Sequence, residues 1–114
     1  MRSLFVIILV LISQTASAYF VTGNKLIENM REFEKFSHAE QWVGINHQKI
    51  RSYLYYVLGV YESLEAMSVV CTPDDINQGQ VGEAVAEYIK AHPKSGDVLA
   101  FSLVSSALLK KFPC

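Results

Sequence analysis

The chain has 114 residues, 51% of them hydrophobic, with ten Lys and Arg against eleven Asp and Glu and a net charge of −1. That length accommodates one small domain, and the charge balance excludes the basic footprint of a nucleic-acid binder. Charges of both signs alternate along the chain, which excludes a one-signed stripe for a membrane surface.

Residues 1–18 read MRSLFVIILVLISQTASA. Arg2 gives a positive start, Leu4 to Ile12 an uninterrupted apolar run, and Ala16-Ser17-Ala18 a small-residue cleavage pattern. The run is too short to span a bilayer comfortably. The expectation is a signal peptide over 1–18, removed before Tyr19, and a helical domain over 19–114. No cysteine follows the apolar run to carry a lipid. Loss of Arg2 leaves nine Lys and Arg against eleven acids, and no second apolar run is long enough to cross a membrane.

Thr22 or Asn24 is placed to cap a first helix near residues 23–36, with Leu26, Ile27, Met30, Phe33 and Phe36 on one face. Residues 37–46 are less regular and predict a loop or short helical turn that sets Trp42 on the core. A long helix near 47–67 follows, its stripe formed by Ile50, Tyr53, Leu54, Val57, Leu58, Tyr61 and Leu64 and widened by Tyr55, Tyr56 and Val60. So broad an apolar surface predicts the central helix. Gly59 within it suggests a second helix crossing close by. Pro73 blocks continuation, and Asp74, Asp75 or Asn77 can cap a third helix over 78–91. That helix carries Val81, Ala84, Val85, Tyr88 and Ile89 on one face, with Gly79 and Gly82 permitting close approach. His92-Pro93 stops it, because the residue before proline disfavours the helical region. Lys94-Ser95-Gly96 reads as a turn and Asp97 as the N-cap of a last helix. Lys110 and Lys111 fall in its final turn, where cations suit the helix dipole. With no alternation long enough for a sheet, the fold class is all-α, a small four-to-five-helix bundle.

Cys71 and Cys114 are the two cysteines, and they bracket the last two helices. In an exported chain they predict a disulfide. Closing a loop of that size contributes about 4 kcal/mol on the loop-entropy estimate.

Catalytic and metal signatures are sparse. His38, His47 and His92 lack a His or Cys partner at zinc-site spacing, and no metal site is predicted. Asp75-x-Asn77-x-Gly79 lacks the glycine position and distal glutamate of a calcium loop. A Cys71–His92 nucleophile pair conflicts with the disulfide. Glu62 with Glu65, and Glu83 with Glu87, are ordinary helix-face pairs. No phosphate-binding glycine loop is present, and no cofactor is implied. A binding protein is favoured over an enzyme.

The segment from Cys71 to Cys114 resembles the C-terminal signature of the Rap/Tai immunity family. The matching features are Cys71-x-Pro73, Gly79-Gln80-Val81, Val85-x-x-Tyr88-Ile89-x-x-His92-Pro93 and terminal Phe112-Pro113-Cys114, with Ala100, Leu103-Val104 and Ala107-Leu108 between. Upstream, Gly23-Asn24-x-Leu26 and Tyr53-Leu54 with Gly59-Val60 are similar to two shorter motifs of the family. Met30 and Ser52 stand where many relatives carry a further cysteine pair. The resemblance implies a periplasmic, non-catalytic protein, often dimeric, that plugs the cleft of a peptidoglycan amidase effector of type VI secretion. A periplasmic chaperone-like or structural helical module is the alternative.

A plug for such a cleft must be polar, rigid and protruding. The loop His92-Pro93-Lys94-Ser95-Gly96-Asp97, projecting between two helices, meets that requirement best, with the Asp74 to Gln80 turn, bearing Gln78 and Gln80, as a second candidate. Tyr55, Tyr56 and Val60 are the expected surface of a homodimer.

Overall fold

Apolar side chains recurring every three or four residues set which face of each helix is buried. The computed structural model describes residues 21–38 and 44–114. The expected signal peptide and the placement of Trp42 lie outside the described residues.

Helix α1 runs Gly23–His38 and buries Leu26, Met30 and Phe33. Of its two cap candidates, Thr22 serves, its Oγ1 accepting from the Lys25 amide at 3.1 Å. Helix α2 spans His47–Ala66, capped by Asn46, whose side chain accepts from the Lys49 amide at 3.2 Å. Its buried row is Ile50, Tyr53, Val57, Val60 and Leu64, narrower than the stripe expected. Leu54, Tyr56, Leu58 and Tyr61 flank that row half-buried, and Tyr55 points to solvent. Helix α3 covers Gln78–Ala91, and helix α4 covers Ala100–Lys111. A single 3₁₀ turn, Ser95–Asp97, lies between them. Each helix touches the other three, and α2 is central as expected.

Tyr53 is wholly buried, and its hydroxyl donates to the Gly82 carbonyl at 2.6 Å. That bond satisfies the polar tip and joins α2 to α3. Its ring packs against Phe33 of α1 at 5.0 Å between centroids. Gly82 lies in the same crossing: a Cβ there would come within 3.0 Å of Leu54 Cδ1 and Phe33 Cζ. The close approach expected of the glycines is therefore made at Gly82. Gly59 does not make one, because no atom lies within 4 Å of where its Cβ would stand.

The Cys71–Cys114 disulfide is formed, with 4.9 Å between Cα atoms. The Cys71 amide donates to the Phe112 carbonyl at 3.0 Å, and Val70 and Pro113 form an isolated antiparallel bridge. Buried Phe112 seats this latch on the core.

One cap differs from expectation. Helix α4 starts at Ala100, with Leu99 at the N-cap position, and Asp97 belongs to the 3₁₀ turn instead. The Ala100 amide donates to the Val21 carbonyl at 3.0 Å, and Leu99 bridges Thr22. Backbone from before α1 thus satisfies an amide that a side-chain cap usually serves.

Candidate functional site

Helix α3 gives way at His92, whose backbone leaves the helical region ahead of Pro93. The chain then folds back on that end. Both the amide and the hydroxyl of Ser95 donate to the His92 carbonyl, at 3.0 and 2.7 Å. The His92 ring stacks on Tyr88 at 4.0 Å, with its Nδ1 2.8 Å from the Tyr88 carbonyl oxygen. Pro93 fixes one dihedral and the 3₁₀ turn fixes the next residues, so the loop is ordered before any partner arrives.

The start of α1 clamps this loop from the other side. The Gly23 amide donates to the Val98 carbonyl at 2.7 Å. A Cβ at position 23 would sit 2.6 Å from that oxygen and 2.8 Å from the Ser95 carbonyl oxygen. A Cβ on Gly96 would collide with the Asn24 side-chain amide. Gly23 therefore lets its backbone meet that of the loop, and Gly96 leaves room for the Asn24 side chain.

The expected plug consequently forms a low, fastened ridge rather than a free prong. His92, Pro93, Lys94 and Asp97 are exposed, whereas Ser95 and Gly96 are half-buried against α1. Beside the ridge lies an apolar collar of Val21, Val98, Leu99 and Phe101, each between 38% and 53% exposed. A shallow groove of about 530 Å³, lined in part by Tyr88, Pro93, Val98 and Leu103, runs along it. A rigid polar crest with apolar flanks suits a protein partner. No thiol nucleophile is available, since both sulfurs are in the disulfide; this removes the Cys71–His92 pair.

The second candidate lies at the other end of α3, about 20 Å away at 1.5 Å per residue. Its two glutamines have different roles. Gln78 is exposed, but Gln80 completes a capping box with Asn77. The Gln80 side chain accepts from the Asn77 amide at 2.8 Å, while the Gln80 amide donates to Asn77 Oδ1 at 2.9 Å. Gln80 is thus occupied in holding the helix start.

The three residues expected at a dimer surface are also divided. Tyr55 is 67% exposed, Tyr56 is half-buried, and Val60 lies in the core of its own chain. Val60 is withdrawn from a second copy because the buried row of α2 passes through it.

The collar residues went unrecognised in the sequence. Val98, Leu99 and Phe101 stand in a continuous apolar stretch at the start of α4, yet only Ala100, Leu103, Val104, Ala107 and Leu108 of that helix are buried. The signal that separates them is the long-range bridge to Thr22, which no local pattern shows.

The family model for Rap1a immunity proteins matches residues 22–114. No curated protein and no solved structure matches the chain. The family match begins at the clamp and ends at the disulfide, so it takes in the whole helical unit. The chain belongs to the family of Rap1a immunity proteins, non-catalytic chains that confer immunity against a cognate toxin.

Proposed function

We propose that this chain is exported to the periplasm and there binds and inhibits a peptidoglycan amidase effector of type VI secretion. The observation that carries the reading is the family match over 22–114. The motif series running through Gly79-Gln80, Tyr88-Ile89, His92-Pro93 and Phe112-Pro113-Cys114 points the same way.

The surface proposed for the amidase cleft is the 92–97 ridge. Lys94 and Asp97 present charge at its crest, and Val98 and Phe101 supply apolar contact beside it. Because Pro93, Ser95 and Gly96 are already held in place, little ordering entropy opposes binding. Gln78, at the opposite end of α3, is the second contact candidate. Tyr55 and Tyr56 remain the proposed surface of a homodimer.

The test is inhibition of candidate amidases on purified peptidoglycan. The wild-type chain should inhibit its cognate amidase stoichiometrically. The double variant Lys94→Ala/Ser95→Ala should keep its far-ultraviolet spectrum and lose about tenfold or more in affinity, equivalent to 1.4 kcal/mol. Full inhibition by that variant, folded, moves the plug away from the ridge. Binding of unrelated unfolded proteins with no amidase inhibited establishes the chaperone-like alternative.

A further inference from the structure

On the face where α1 crosses α3, three ligating side chains converge away from the ridge. Glu34 and His38 are one turn apart on α1, and Glu83 reaches them from α3. His38 Nε2 lies 3.3 Å from Glu34 Oε2 and 3.5 Å from Glu83 Oε1. One ligand atom from each of the three falls within 4.8 Å of the other two. Lys90 also takes part, its Nζ 3.1 Å from Glu34 Oε2.

Two features set this cluster apart from the surface ion pairs elsewhere on the chain. First, Glu34 Oε1 is sealed from solvent and has no hydrogen-bond partner among the described residues. A buried carboxylate oxygen without a donor is costly, and a cation is one way to satisfy it. Second, Glu34 and Glu83 face each other at close range. Lys90 forms its ion pair with Glu34, and the Glu83 carboxyl is met by His38.

We propose that Glu34, His38 and Glu83 form a binding site for a divalent cation of the Zn²⁺ class, which pins α1 to α3. A mixed set of one imidazole and two carboxylates favours Zn²⁺ over Ca²⁺ or Mg²⁺, which take oxygen alone. Ligands four apart on one helix present their side chains on the same face. The exposed side of His38 leaves a fourth position to water. The sequence conceals the site because its third ligand lies forty-five residues beyond His38, on another helix.

Calorimetric titration of the folded chain with ZnCl₂ at pH 7.5 tests this. One Zn²⁺ should bind per chain, and the melting temperature should rise with Zn²⁺ concentration. His38→Ala and Glu83→Gln should each weaken binding by about tenfold or more, as loss of even a supporting group does at metal sites. His47→Ala and His92→Ala should bind as the wild type does. The side chain of His38 is 67% exposed and Glu83→Gln is isosteric, so far-ultraviolet spectra should confirm that both variants fold. The proposal is overturned if no saturable binding occurs below millimolar Zn²⁺. It is equally overturned if His38→Ala and Glu83→Gln bind with wild-type affinity; the cluster is then only an ion-pair network.

Discussion

Two glycines on neighbouring helices show how little a residue type says without its surroundings. Gly59 and Gly82 both interrupt helical apolar runs, and both suggest close packing from sequence alone. Only Gly82 has it, wedged against Leu54 and Phe33. Gly59 faces open space and carries the full conformational cost of glycine in a helix. Gly59→Ala should therefore stabilise the fold by up to about 1 kcal/mol. Gly82→Ala should do the opposite. Phe33 is already packed on Tyr53 and cannot retreat, so overpacking outweighs the helix-propensity gain, for a net loss of about 1 kcal/mol or more. Urea unfolding of the two variants beside the wild type measures both signs in one experiment. Equal effects at the two sites would refute this account of the packing.

At the scale of elements, the helices were legible because burial follows period. Leu26, Met30 and Phe33, and Ile50, Tyr53 and Val57, mark their buried faces by spacing alone. Ends were legible where a side chain does the capping, as at Asn77, or where proline stops the helix, as at His92-Pro93. The start of α4 was not legible. Asp97 has the right chemistry for a cap, yet the competitor was the Val21 carbonyl from the far end of the chain. The same holds for the candidate ridge: Pro93 announces a stiff loop, whereas the Gly23–Gly96 clamp depends on a pairing no local window contains.

Between elements, α1 and α2 are also tied by Lys49 Nζ to Glu28 Oε1 at 2.6 Å. Hydrogen bonds from Lys49 and then Lys25 hold the Glu28 carboxyl below its ordinary range, and Glu28 in turn raises Lys49. A carboxylate lowered in the folded state adds stability that is present above its unfolded pKa. That stability is lost as pH falls through the folded value. A raised lysine adds stability that is present below its unfolded pKa and lost as pH rises through the folded one. The pair therefore acts across the neutral range and fades at both extremes. Glu28→Gln should flatten the acid limb of the stability–pH curve, most visibly below about pH 4.3, the usual value for Glu. Because the pair is exposed, the change should shrink in high salt. An acid limb identical to wild type at low salt would rule out the tie.

At the scale of the whole molecule, covalent closure and the candidate binding surface occupy opposite ends of α4. The disulfide and the Val70–Pro113 bridge fasten its C-terminal side, while the Thr22–Leu99 bridge and the ridge lie at its start. The helix separates them by about 18 Å, at 1.5 Å per residue. Energetically the two ends also differ. The disulfide acts chiefly on the unfolded chain, by shortening a loop that spans 43 positions. The ridge is held locally, by the Ser95 and Gly23 hydrogen bonds and the close approach of the Asn24 side chain to Gly96. Stability and recognition should therefore come apart in Cys71→Ser/Cys114→Ser. The double variant, which leaves no free thiol to cross-link, should lose about 2–5 kcal/mol against unfolding. Below its melting temperature the ridge should be unaltered. Its affinity for the cognate effector should match wild type once corrected for the folded fraction. Denaturant unfolding gives the first quantity and calorimetric binding at low temperature the second. If affinity falls with stability in a chain that is fully folded, the latch at one end of α4 also shapes the surface at the other.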